Sequence, residues 1–160
     1  MAKKIQPRQF FVLAHNIRSR FNVGSIFRIA DSLGADKIYL TGFTPRPPHP
    51  KIAKVALGAE NFVPWEYVKS PARILKKLKA DNPKLTIVGL ENNVPNFKIK
   101  SLNTYRPKFP LVLIIGEERK GISKKLLELC DVILEIPMRG HKESLNVSVA
   151  FGIAAYQLLA

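Results

Sequence analysis

Short apolar runs alternate with longer amphipathic stretches along this chain. Each run is four to six residues long and ends at turn or helix signals, so the runs predict buried strands. Continuous apolar strands separated by helices are typical of a parallel sheet covered on both faces. We therefore expect an α/β fold with a mostly parallel sheet and helices on both faces. The predicted strands are residues 10–14, 37–41, 65–68, 85–90, 111–116 and 132–136.

The amphipathic stretches predict helices whose ends carry recognisable residues. Asn22 is expected to cap a helix that runs to Leu33, with Gly34 as its C-terminal stop. The terminal helix is expected to begin at Ser144 or Leu145. No repeat, low-complexity tract or linker interrupts the pattern, so residues 1–160 are predicted to form a single domain. Further helices are expected at residues 51–57, 71–79 and 124–129.

The charge balance adds a partner to this picture. Lys and Arg number 26 against 12 Asp and Glu, which gives a formal net charge of +14 and a sequence pI of about 10.1. Such a surplus attracts polyanions, chiefly nucleic acid or an anionic membrane surface, although a merely solubilising surface is the alternative. No apolar run approaches the roughly 20 residues that span a bilayer. A nucleic acid is therefore the expected partner, with no membrane.

Cysteine and histidine usage restricts the compartment and the chemistry. Cys130 is the single cysteine, which fits a reducing cytoplasm, and the basic start of the chain lacks the apolar stretch of a signal peptide. His15, His49 and His141 show no metal-ligand spacing. We expect a cytoplasmic protein without a metal site.

Ligands of parallel α/β sheets bind at the carboxyl ends of strands, which directs attention to the loops after Leu90, Ile115 and Ile136. The second loop reads GEERKGIS, and Gly116 and Gly121 would let the backbone approach a ligand closely. It lacks the GxxxxGK of a phosphate-binding loop, and no GxGxxG follows a strand, so a dinucleotide fold or an ordinary Rossmann methyltransferase is disfavoured. An ordinary strand-to-helix turn remains the alternative.

The loop after Ile136 leads into SLNVSVA, which places Ser144, Asn146 and Ser148 at the start of an otherwise apolar helix. Three polar side chains within five residues exceed what one helix cap needs, and the excess suggests hydrogen bonding to something else. In the first strand–helix unit, Arg28 stands among apolar residues. A guanidinium held in such surroundings usually has a dedicated partner, the alternative being an exposed arginine paired with Asp31.

Three segments together resemble the SpoU/TrmH family of the SPOUT superfamily of RNA methyltransferases. They are NVGSIFR (residues 22–28), IIGEERKG (residues 114–121), and IPMRG followed by SLNVSVA (residues 136–150). They stand in the family's order and at its approximate spacing, and residues 47–60 also resemble family members. The resemblance spans nearly the whole chain.

The resemblance implies a SPOUT fold whose C-terminal part forms a deep trefoil knot, although knots are rare in proteins. It also implies a homodimer that binds S-adenosylmethionine between the knot loops. The cofactor pocket carried over from the family consists of Leu90, Glu91, Gly116, Glu117, Gly121, Ile136, Met138, Leu145 and Asn146.

The reaction implied by the resemblance is methyl transfer to a ribose 2′-hydroxyl of tRNA or rRNA. By resemblance to the family's proposed base, Arg28 is the candidate that takes the hydroxyl proton. Because arginine stays protonated in proteins, the alternative is that it orients the adjacent phosphate and stabilises developing charge. Asn22, Glu118, Ser144 and Asn146 would complete the catalytic site.

Basic residues in or beside these loops are the candidates for RNA phosphate contacts, and we expect about half of them to bind phosphate. Two other functions stay open, a non-catalytic RNA-binding or ribosome-associated module and a SPOUT base methyltransferase. The chain has almost none of the extra terminal segments with which family members select RNA, so the substrate RNA is open too. The candidates are Arg8, Arg18, Arg20, Arg46, Lys51, Lys54, Arg119, Lys120, Arg139 and Lys142.

Overall fold

The computed structural model describes residues 8–160, and its strands all belong to one parallel sheet. The strands are β1 (Phe10–His15), β2 (Lys37–Thr41), β3 (Trp65–Val68), β4 (Thr86–Leu90), β5 (Ile99–Ser101), β6 (Leu111–Ile115) and β7 (Val132–Glu135). Their order across the sheet is β3-β2-β1-β6-β4-β7-β5. The predicted α/β class with a parallel sheet is therefore confirmed.

In the described part of the chain, five α-helices cover the two faces of the sheet: α1 (Arg20–Leu33), α2 (Pro50–Ala56), α3 (Pro71–Asp81), α4 (Lys124–Leu127) and α5 (Val147–Leu159). Helices α1, α2 and α5 share one buried cluster with one set of strand residues, while α3 and α4 share a second cluster with the alternate set. The central strand β6 shows why its run is apolar throughout. Leu113 packs in the first cluster and Val112 in the second, and both are fully buried.

The ends of two helices differ from the prediction. Ser19, not Asn22, is the N-cap of α1, because its hydroxyl accepts the Asn22 backbone N–H at 3.2 Å. Asn22 consequently lies in the first turn with its side chain free for other contacts. Helix α5 begins at Val147 with Asn146 as its N-cap, so the prediction of a start at Ser144 or Leu145 was wrong. The predicted stop at Gly34 is confirmed, with φ +66° in the left-handed region.

Two further elements correct the sequence prediction. Strand β5 was not predicted; it is three residues long and, within residues 8–160, it pairs only with β7, as the last strand of the sheet. Helix α4 ends at Leu127, two residues before the predicted Leu129, with a turn continuing toward Cys130. Among residues 8–160 the structure has no helix of the length and apolarity that crossing a membrane requires.

Candidate active site

A cavity of about 330 Å³ opens at the carboxyl ends of β4, β6 and β7. Three loops enclose it, namely those that follow Leu90, Ile115 and Glu135, as expected for ligand sites of parallel sheets. Eight of the nine predicted cofactor residues line it, and only Asn146 does not. The lining is Leu90, Glu91, Asn92, Asn93, Ile115, Gly116, Glu117, Glu118, Arg119, Lys120, Gly121, Ile136, Met138, Glu143, Ser144, Leu145, Val147 and Ala150.

Close backbone packing shapes the loop after β6. A Cβ at Gly116 would lie 2.7 Å from the Gly121 carbonyl carbon and from the Ile122 nitrogen, so only glycine fits there. Gly121 has φ +68°, and a Cβ on it would lie 2.1 Å from Glu91 Oε2. That Glu91 oxygen accepts the Ile122 N–H at 2.7 Å. Burial raises the pKa of Glu91, although the N–H groups of Ile122 and Asn92 oppose the shift.

Glu118 joins the loop after β6 to the start of α1. Its carboxylate accepts the backbone N–H groups of Arg18 at 2.9 Å and Ser19 at 3.1 Å, and the Asn22 side-chain amide at 3.0 Å. Burial alone would raise the pKa of Glu118, but these donors together hold it below its ordinary value. The carboxylate is therefore ionised at neutral pH and fixes the position of Asn22.

Asn22 also hydrogen-bonds to the residue that caps the C-terminal helix, α5. Its Oδ1 accepts the side-chain amide of Asn146 at 3.2 Å, while Asn146 Oδ1 accepts the backbone N–H and hydroxyl of Ser148 at 2.9 and 2.6 Å. Asn146 thus caps α5 with one end of its amide and holds Asn22 with the other. Glu118, Asn22 and Asn146 form a continuous network at the edge of the cavity, which we call the polar network.

Glu117, the residue before Glu118, points into the protein. Its side chain is only 9% exposed, and one carboxylate oxygen accepts the Lys120 backbone N–H at 3.3 Å. The other oxygen lies 3.7 Å from the Arg18 guanidinium, which is within ion-pair range but beyond a hydrogen bond. Glu117 therefore attracts Arg18 to the rim of the cavity without fixing its geometry.

Asn92 was not among the predicted site residues, yet it joins two of the three loops. Its side chain accepts the Ile136 N–H at 3.0 Å and donates to the Ile136 carbonyl at 2.9 Å. Asn93 donates to the Glu143 carbonyl at 3.4 Å, at the far end of the same loop. The Asn92–Asn93 pair directly after a buried strand was the available sequence signal, since short amides there often bind neighbouring backbone.

Two predicted catalytic residues have different surroundings from those expected. Arg28 is exposed on α1, and among residues 8–160 it has neither the dedicated partner inferred from its apolar neighbours nor an ion pair with Asp31. Arg28 also does not line the cavity. Ser144 does line it but is exposed and does not cap α5. The helical pattern around Arg28 failed as a guide because its neighbours face the core while Arg28 faces outward.

The predicted RNA-binding residues divide into two groups by position. Arg119 and Lys120 line the cavity, and Arg18 lines a second cavity next to it together with Lys120. Arg8 lies elsewhere, because its guanidinium donates to the carbonyls of Leu159 and Ala160 and stacks on Phe109. Arg46 stacks on the Tyr67 ring at 4.0 Å. The remaining candidates are all exposed: Arg20 begins α1, Lys51 and Lys54 lie on α2, and Arg139 and Lys142 lie in the loop after β7.

Comparison with known proteins identifies the family. Residues 9–156 match the SpoU rRNA Methylase family. The chain is 33% identical over 155 residues to the 23S rRNA (guanosine-2'-O-)-methyltransferase RlmB of Ralstonia nicotianae, an alignment that covers 96% of this chain and 59% of that protein. This chain belongs to the SpoU rRNA Methylase family, which confirms the resemblance carried by the three sequence motifs.

Solved structures share the fold. The SpoU methyltransferase AviRb from Streptomyces viridochromogenes, in complex with the cofactor AdoMet, superposes with a TM-score of 0.86 at 27% identity over 98% of this chain and 61% of that one. A structure described as giving insights into the 2-OH methylation of C/U34 on tRNA superposes with a TM-score of 0.82 at 25% identity, over 96% of this chain and 95% of that one. The chain spans about three fifths of the first curated relatives it matches, 61% and 59% of their lengths.

Proposed function

We propose that this protein transfers the methyl group of S-adenosylmethionine to a ribose 2′-hydroxyl in RNA. The observation that carries the proposal is the polar network of Glu118, Asn22 and Asn146, which stands at the edge of a cavity enclosed by three strand-end loops. Family membership and the relatives named above for 2′-O-methylation support the same reaction. The +14 net charge supports RNA as the substrate.

The cavity residues fit S-adenosylmethionine. The apolar side chains of Leu90, Ile136 and Leu145 line the cavity and can enclose the adenosine, and the close-packed Gly116–Gly121 loop presents backbone groups to it. Carboxylates of Glu91 and Glu143 at the same cavity suit the positive charge of the cofactor. When bound, the cofactor supplies an electrophilic methyl group on its sulfonium.

The residues around the cavity then orient the ribose. Asn22 is held by Glu118 on one side and by Asn146 on the other, so its amide is preorganised for a hydrogen bond to the sugar. Ser144, exposed at the cavity, can bind the same nucleotide. A guanidinium is a poor base, so we assign Arg28 to the phosphate beside the target ribose, where it stabilises negative charge that develops on the oxygen. The hydroxyl proton then leaves to the phosphate or to water.

Titration calorimetry with S-adenosylmethionine tests cofactor binding, and mapping of 2′-O-methylation in RNA from cells with and without the protein tests the reaction. We expect binding, and one or more alkali-resistant linkages that disappear with the gene. Arg28→Ala should lower kcat by about a hundredfold or more, with cofactor affinity retained. Methylated bases without 2′-O-methylation, or RNA binding that is indifferent to Arg28→Ala with no methyl transfer, would reject the proposal.

We further propose that the protein acts as a homodimer. One face of α5 carries exposed apolar side chains at helical spacing, Val149, Ile153 and Tyr156, which are 49%, 44% and 58% exposed. Leu145 and Phe21 extend this surface, and exposed apolar surfaces of this kind usually mark interfaces. Arg28 is seven residues from Phe21 on the same exposed face of α1, so it borders the proposed interface.

Light scattering during gel filtration tests the dimer, and Ile153→Glu should give a monomer while the exposed Leu57→Glu, away from this surface, should not.

We also propose the deep trefoil knot, supported by the hydrogen bonds through which Asn92 and Asn93 hold the loop that precedes α5. A high-resolution crystal structure traces it directly. RNA as substrate supports the cytoplasm as the location, and the single cysteine, Cys130, fits a reducing compartment.

A further inference from the structure

Phe43 lies at the turn that follows β2. This turn and the cofactor cavity are both at the carboxyl ends of the parallel strands. Its side chain is 60% exposed. Large apolar side chains at turns are usually buried or replaced by polar residues. An exposed phenylalanine beside the proposed reaction site therefore indicates a position that binds a ligand.

The backbone of this turn is held in one position by hydrogen bonds on every side. The Phe43 N–H donates to Asn16 Oδ1 at 3.0 Å, and the Tyr67 hydroxyl donates to the Gly42 carbonyl at 2.7 Å. The buried Thr44 hydroxyl donates to the carbonyl of Thr41 at 2.8 Å and accepts the N–H of Ile17 at 3.1 Å. Phe43 is therefore presented to solvent from a rigid support.

The surroundings of Phe43 are cationic. It lines a cavity of about 370 Å³ with Arg18, Lys120 and Glu117. Glu117 and Lys120 line the cofactor cavity as well, so the two cavities are neighbours. Arg18 lies near Glu117 but is 56% exposed, and Lys120 is exposed. Both cations can therefore turn toward a phosphate within reach of the Phe43 ring.

We propose that Phe43 is a stacking platform for an unpaired nucleobase of the RNA, with Arg18 and Lys120 binding the phosphates on either side. An aromatic face flanked by cations is how proteins recognise single-stranded nucleotides, whose bases stack while the backbone meets Lys and Arg. An apolar protein partner fits less well, because the other residues lining this cavity are charged. The inference rests on the proposed function for the identity of the polymer, and it makes Phe43 a residue that selects nucleotides unstacked from a helix.

Phe62 provides a matched control. It is 77% exposed and lies between the 3-10 turn Ala59–Asn61 and β3, at the opposite edge of the sheet. Phe62→Ala therefore removes the same side chain from an exposed position away from both cavities. The test set is Phe43→Ala, Phe43→Leu, Phe43→Trp and Phe62→Ala, with thermal unfolding of each to show that the fold is retained.

The probe is an RNA hairpin with 2-aminopurine in its loop, whose fluorescence is quenched when the base stacks. Wild type, Phe43→Trp and Phe62→Ala should bind and quench it, while Phe43→Ala and Phe43→Leu should lose about tenfold or more in affinity together with the quenching. Equal affinity and quenching by Phe43→Ala and wild type would overturn the platform, and so would failure of wild type to bind the hairpin.

Cofactor titration separates this test from the proposed function. All four variants should bind S-adenosylmethionine as wild type does, because Phe43 does not line the cofactor cavity. In methylation of cellular RNA, Phe43→Ala should raise KM about tenfold with little change in kcat, which a merely structural defect would not do. If wild type quenches the probe through Phe43 but neither binds the cofactor nor methylates RNA, the platform stands and the methyltransferase proposal fails.

Discussion

Glu118→Gln is the most informative single change, because one carboxylate holds the start of α1. The substitution keeps the size of the side chain but removes its charge and places an amide among three N–H donors, those of Arg18, Ser19 and Asn22. Hydrogen bonds to an ionised acceptor contribute about 1.5–3 kcal/mol each, and an anion at a helix N-terminus adds about 0.3–1 kcal/mol. The oxygen of the new amide still accepts neutral hydrogen bonds, worth about 0.5–1.5 kcal/mol each, and water replaces part of the rest at the exposed Arg18. We therefore expect the free energy of unfolding to fall by about 2 kcal/mol.

Urea denaturation at a fixed protein concentration measures this loss, with Glu128→Gln as the control. Glu128 is exposed, and its carboxylate accepts no hydrogen bond from residues 8–160. The free energy of unfolding of Glu128→Gln should therefore stay within about 0.5 kcal/mol of the wild-type value. The control also accounts for the change in net charge. Equal effects of the two substitutions would refute the assigned role of Glu118.

The pH dependence gives a second test of the same carboxylate. The pKa of Glu118 in the folded protein lies below its ordinary value of 4.5. Its contribution is therefore fully present above pH 4.5 and is lost as the pH falls through the depressed pKa. The difference between wild type and Glu118→Gln should be constant at higher pH and should shrink under more acidic conditions. A difference that persists unchanged into strong acid contradicts the carboxylate mechanism.

Three further predictions follow from the other contacts. Asn146→Asp keeps the oxygen that caps α5 but loses the amide that holds Asn22. The rate of methyl transfer should therefore fall about tenfold or more, while the free energy of unfolding in urea should change by less than about 1 kcal/mol. A variant as active as wild type would contradict the role of the polar network. Gly116→Ala should abolish cofactor binding in calorimetry and destabilise by about 1–3 kcal/mol, because the added Cβ meets backbone at 2.7 Å. Burial raises the pKa of the Cys130 thiol to about 12, so a disulfide reagent at pH 8 should label the native protein at least about a hundredfold more slowly than the urea-unfolded chain. Rapid labelling of folded protein would argue against that burial.

The parts of the fold that depend on burial were predictable from sequence. Strand β2 was predicted at its observed bounds, and β6 within one residue, because continuous apolar runs leave few alternatives. Strand β5 was missed because it is three residues long, pairs on one side only, and contains no run of apolar residues. Local pattern carries little information about such an edge strand.

The site was harder to predict at asparagines, because an asparagine side chain can either cap a helix or bind another side chain. Asn22 and Ser19 are both good N-caps, and the sequence around them does not show that Glu118 and Asn146, from two distant segments, both engage the Asn22 side chain. Helix α5 begins after the predicted Ser144 or Leu145 because Asn146 caps it, while the amide nitrogen of the same side chain donates to Asn22. The loops after Leu90, Ile115 and Ile136 were located correctly, since strand ends in a parallel sheet converge on one edge.

The position of β6 between β1 and β4 has a consequence for synthesis of the protein. Strand β1 pairs with β2 on one side, but its other partner begins at Leu111, so the backbone N–H and C=O groups on that edge of β1 stay unpaired while most of the chain emerges from the ribosome. At roughly 5–20 residues per second this interval lasts about 5–20 s, and exposed strand edges template aggregation. We therefore expect a fragment that ends before β6 to accumulate as aggregates.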